Sequence, residues 1–99
     1  MEKVKTQGFT AKDDFNATSA TPLKDAKNSV IKVSDVMIKE NAEGKAVAYF
    51  KTNDGTIYGT VSTTVVEQAL ALIDLVPAEI LVNTNTSKQG REYLILELQ

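Results

Sequence analysis

Ala46-Val-Ala-Tyr-Phe-Lys-Thr-Asn-Asp-Gly-Thr-Ile-Tyr-Gly-Thr-Val-Ser62 reads as two strands folded back on one another. Thr52-Asn53-Asp54-Gly55 supplies the turn: residues that tolerate turn conformations stand beside a glycine free to take positive φ, with β-branched and aromatic residues on both flanks. Two registers are open. A three-residue loop closed by Gly55 as a bulge pairs Phe50 with Tyr58 and Lys51 with Ile57, whereas a two-residue Asp54-Gly55 turn pairs Lys51 with Tyr58 and Phe50 with Gly59. We prefer the first. It collects Val47, Tyr49, Ile57 and Val61 on a face apolar enough for the core, with Gly59 leaving room among them. Phe50 and Tyr58 are then expected side by side on the solvent face.

Upstream, Ser29 to Glu40 reads as a long strand whose alternation changes phase midway. Ile31 and Val33 share one face, while Val36 and Ile38 fall on the other unless an extra residue at Ser34-Asp35 makes a β-bulge and bends the strand. Asn41-Ala42-Glu43-Gly44 turns the chain into the hairpin. Downstream, the apolar period changes from two to 3.6 over Val65 to Leu75. Thr64 with Glu67 matches a capping box at the start, and Pro77 stops the run. Glu79 to Thr86 is the next strand, with a wholly polar second half expected to stand free of the core. Ser87-Lys88-Gln89-Gly90 then leads into Arg91 to Gln99, where Leu94, Leu96 and Leu98 are expected to point inward and Tyr93 and Ile95 to meet the N-terminal segment or another subunit.

Residues 1–28 are poor in apolar side chains and cannot build a core of their own, so an extended or flexible N-terminal arm is expected before a domain over 29–99. Phe9 and Phe15 are its candidate interaction anchors. Asp13 and Asp14 read as a solvated pair rather than a metal site.

The 99 residues are enough for one domain that folds without staples. With no cysteine or histidine, disulfides, thiol nucleophiles, the usual zinc ligand sets and the commonest general base are all missing. No glycine-rich phosphate loop or carboxylate cluster compensates, so no enzymatic activity, cofactor or metal is expected. Met1-Glu-Lys-Val-Lys5 lacks the apolar core of a secretion signal, and a cytoplasmic location is expected. Net charge is −2, with residues 1–28 carrying five lysines against four acids and 29–99 carrying six cations against nine acids. Nucleic-acid binding on such a chain must draw on stacking and local clusters of cations rather than on bulk charge.

The order strand, strand, strand, helix, strand, strand, with the bent first strand, resembles the OB-fold, a five-stranded Greek-key barrel capped by one helix, over residues 29–99. Asn85-Thr-Ser-Lys-Gln-Gly-Arg-Glu-Tyr-Leu-Ile-Leu-Glu97 is similar to the last hairpin of OB-fold single-stranded DNA-binding proteins. The resemblance implies a ligand surface on the outer face of the two hairpin strands and on the loops beside them. It places Phe50 and Tyr58 as stacking rings, framed by Lys45, Lys51, Lys88 and Arg91. The expected function is sequence-tolerant binding of single-stranded DNA or RNA by a small, oligomeric protein of the phage or plasmid kind, active in DNA replication. The competing expectation is a protein-interaction or assembly module in which Phe9, Phe15 and Tyr93 contact protein.

Overall fold

The computed structural model describes residues 4–5 and 8–99; the rest of the expected arm lies outside the described residues. The elements in chain order are β1 (Val4–Lys5), α1 (Ala11–Asn16), β2 (Thr21–Pro22), β3 (Ser29–Glu40), β4 (Ala46–Thr52), β5 (Ile57–Thr60), α2 (Thr63–Leu72), β6 (Ala78–Thr86) and β7 (Glu92–Leu98). Short 3-10 turns cover Ala17–Ser19 and Leu23–Ala26. From β3 onward this is the expected order of five strands with a helix after the third.

The long strand β3 organises the sheet. Its first half pairs with β6 and its second half with β4, and the register shifts between Val33 and Asp35, at the expected bulge. There the Ser34 hydroxyl donates to the Lys51 carbonyl at 3.1 Å, serving a backbone acceptor beside the interrupted ladder. Among the described residues the sheet runs β2-β5-β4-β3-β6-β7, with β1 added on β3. No ladder joins β5 to β7, so the mostly-β sheet forms a half-barrel. β2 instead lies parallel along β5, and Leu23 and Ala26 of the following turn enter the core.

The hairpin register is the preferred one, with Phe50 opposite Tyr58 and Lys51 opposite Ile57. Gly55, at φ 91°, closes the turn with its N–H on the Thr52 carbonyl at 3.0 Å. The faces, however, are the reverse of those expected. Phe50 is 1% exposed and packs inside with Val36, Ile38 and Ala48 beneath α2, and Tyr58 rests half-buried against the same core. Met37, Tyr49 and Ile57 lie on the outer face, where Phe9, Ala17 and Ala20 cover them. The physical reason is that both faces of this hairpin are buried, one by the barrel and one by the N-terminal segment. A strand covered on both sides gives alternation no polar face to mark. Val61, expected in the core, is exposed.

Helix α2 lays Val65, Val66, Ala69 and Leu72 over the open half-barrel. The expected Thr64–Glu67 capping box does not form: Val66 already donates to the Ser62 carbonyl at 2.9 Å, which puts Thr64 inside the first turn and makes Ser62 the N-cap. Gln68 reaches from the helix to the outer edge of β7. Its amide nitrogen donates to the Leu96 carbonyl and its amide oxygen accepts from the Leu96 N–H, both at 2.8 Å. One side chain thus takes the place of one residue of a neighbouring strand.

On β7, Leu94 and Leu96 face the core as expected, but Leu98 stands at the open rim and is 57% exposed. The polar half of β6 belongs to neither core cluster, as expected, and pairs with β7 as far as Thr86 opposite Glu92.

Candidate nucleic-acid interface

The outer face of β4 and β5 is where the sequence points for a ligand, and Phe9, Ala17 and Ala20 of the N-terminal segment lie across it and against Met37 of β3. Thr10 caps α1 in a reciprocal box with Asp13, its hydroxyl accepting from the Asp13 N–H at 3.2 Å while the Asp13 carboxylate accepts from the Thr10 N–H at 3.0 Å. This fixes both helix acids toward the sheet. Asp13 meets Lys51 at 2.8 Å, and Asp14 meets Lys39 at 3.0 Å. The Lys39 ammonium also lies 5.7 Å from the centre of the Tyr49 ring. The Lys51 hydrogen bond is the main cause that holds the Asp13 carboxyl below the usual carboxylate range; the Thr10 N–H and hydroxyl add to it, and burial opposes it.

Apolar contact outweighs these ion pairs in holding the segment down. Phe9 is 1% exposed among Ala17, Met37 and Ile57, and burying a phenylalanine stabilises by about 1.5–3 kcal/mol. Partly exposed ion pairs contribute about 0–1 kcal/mol each. Two glycines permit the close approach. Gly8 abuts the Asp35 carboxylate with no room for a Cβ, and a Cβ on Gly59 would stand 3.2 Å from both Ala20 and the Tyr49 ring.

Of the residues expected at a nucleic-acid site, Phe50 needs correction. It is sealed in the core and presents no ring face to a base. Lys51 is engaged by Asp13 and by the Gly8 carbonyl at 3.3 Å. Lys45, Lys88 and Arg91 are exposed with no carboxylate at ion-pair distance among the described residues. Phe15 is 77% exposed, on the outward side of α1, whereas Phe9 is buried. Tyr93 is half-exposed on β7. The paired roles of Asp13 and Asp14 escaped the reading of the sequence, although Thr10-Ala-Lys-Asp13 is itself a capping-box pattern.

Tyr58 keeps access to solvent on its other side. With Ser29, Val30, Lys32, Asn53 and Asp54 it lines an open cleft of about 400 Å³ at the end of the half-barrel. The cleft wall is stiff. Asn53 donates its backbone N–H to the Lys32 carbonyl at 3.1 Å, and the Asp54 carboxylate accepts from the Thr52 hydroxyl and from the Thr56 N–H. The Thr52 hydrogen bond, followed by that from the Thr56 backbone, keeps the Asp54 carboxyl below its ordinary range. The cleft therefore offers one ring, one ammonium and one side-chain amide, beside the carboxylates of Asp25 and Asp54. No group of three or more His, Cys, Asp or Glu residues able to hold a metal occurs among the described residues, and no described helix is long and apolar enough to cross a membrane.

Fold and cleft define a small, mostly-β, barrel-like binding module. The chain belongs to the phage single-stranded DNA-binding protein family, whose family model matches residues 14–99, from α1 to the last residue. No curated protein and no solved structure matches it.

Proposed function

We propose that this chain binds single-stranded DNA without regard to sequence, with Tyr58 as the stacking ring of the cleft and Lys32, Lys45, Lys88 and Arg91 as partners for the backbone phosphates. Membership of the phage family over 14–99 carries the reading, and the accessible side of Tyr58 supports this choice of ring. A base stacked on an aromatic ring gains about 1–3 kcal/mol whatever its identity, which gives sequence tolerance. With three or four cations engaged, log K falls against log salt with a slope of about −2 to −3. Such binding belongs inside the host cell, where phage DNA passes through a single-stranded stage in replication.

Titration of a fluorescently labelled oligothymidine tests the reading. Saturable binding is expected at about 50 mM salt, weakening at about 200 mM, and Tyr58→Ala is expected to lower affinity at least fivefold. Absence of saturable binding at the lower salt refutes it.

A further inference from the structure

One sheet face is left open by the described part of the N-terminal segment. Pairing of Val30 with Leu81, of Asn83 with Ile95 and of Asn85 with Tyr93 sets these side chains on one outer face of β3, β6 and β7, because Ile31, Ile80, Val82 and Leu96 point into the core. No described element packs on this face: Val30 is 51% exposed, and Tyr93 belongs to neither core cluster.

Its polar groups are pre-oriented. The Asn83 side-chain oxygen accepts from the Thr84 N–H at 2.8 Å, and that of Asn85 accepts from the Thr86 N–H at 2.9 Å. Each amide therefore has its oxygen tied to the backbone; the Asn83 nitrogen donates to the Glu97 carboxylate at 3.4 Å on the same face, and the Asn85 nitrogen is left as an outward donor. Glu92, beside Tyr93, is neutralised by Lys27 at 2.8 Å, so Lys88 and Arg91 set the sign of charge at this hairpin end. Val30 also lines the Tyr58 cleft, which makes cleft and face continuous.

We propose that the outer face of β3, β6 and β7 is a second single-stranded DNA contact, with Tyr93 as its stacking ring and Asn85 as a donor to base edges, and that the strand reaches the phosphate partners Lys88 and Arg91, named above, by crossing this face. It rests on the function proposed above and extends it. DNA leaving the Tyr58 cleft crosses Val30 and runs diagonally to Tyr93. Strand spacing and rise make this path about 16 Å, room for roughly three to five further nucleotides.

Oligothymidine length tests this. A short oligomer of about five nucleotides occupies the cleft alone, and one of about fifteen occupies cleft and face together. Tyr93→Ala is expected to weaken the long oligomer about five- to tenfold, to leave the short one within twofold, and to be rescued by Tyr93→Phe. Tyr58→Ala is expected to weaken both. Equal affinities of wild type and Tyr93→Ala for the long oligomer overturn the proposal while leaving the cleft reading intact. A change in sedimentation coefficient on Tyr93→Ala, with unchanged DNA affinity, also overturns it and makes the face a protein contact. Failure of the wild type to bind either oligomer removes both readings.

Discussion

Substituting Phe50 by leucine separates a core role from a contact with DNA, and the two roles predict opposite results. Phe50 is 1% exposed between the sheet and α2, next to Val36, Ile38 and Ala48. Leucine keeps the site apolar but leaves part of the ring volume empty, at a cost of about 1–2 kcal/mol. For a domain of this size each kcal/mol lowers the melting temperature by about 4–8 °C, so a fall on the order of 10 °C is expected. Total stability is about 5–15 kcal/mol, and the variant stays folded at room temperature. Circular dichroism melting measures the loss, and fluorescence anisotropy of a labelled oligothymidine, well below the transition, measures binding. Phe50→Leu is expected to bind DNA within twofold of wild type. A folded variant whose melting temperature is unchanged but whose affinity has dropped fivefold or more would refute the assignment of Phe50 to the core.

The Asp13–Lys51 contact predicts a pH dependence. Since the folded carboxyl lies below its ordinary value of 3.8, its contribution is present in full above that value and is lost as pH falls through the folded one. Asp13→Asn should therefore lower the urea midpoint at neutral pH and converge with wild type as pH falls through the lowered value of the folded carboxyl; a gap that stays constant with pH argues against it. Gln68→Leu removes the clamp on Leu96, strands one N–H and one carbonyl on the β7 edge, and should destabilise by about 1–3 kcal/mol while raising light scattering on concentration. Unchanged stability and scattering would show that water serves that edge as well as the amide does.

Much of the fold was legible because the decisive signals are local. Gly55 demanded its turn, the phase change at Ser34-Asp35 demanded a bulge, and the change of period after Ser62 marked the helix. The inside of the hairpin was not legible. Tyr49 and Ile57 are as apolar as Phe50 and Tyr58, because Phe9, Ala17 and Ala20 cover the first pair as the barrel covers the second. That cover comes from a segment whose large side chains are sparse and whose acids look solvated until Lys39 and Lys51 are seen opposite them. Tyr58 was recognisable as a candidate ring, but the cleft around it joins residues far apart in the chain, Ser29 and Lys32 with Asn53, and no spacing announces it.

The side-chain amide of Gln68 on Leu96 has a consequence for crowding. A bare strand border invites the backbone of another copy to pair with it, which at high concentration leads to fibrils. Here β2 occupies one border of the half-barrel and a single glutamine blocks the middle of the other. A second copy approaching that border meets a side-chain amide where its own backbone would need the Leu96 N–H and carbonyl.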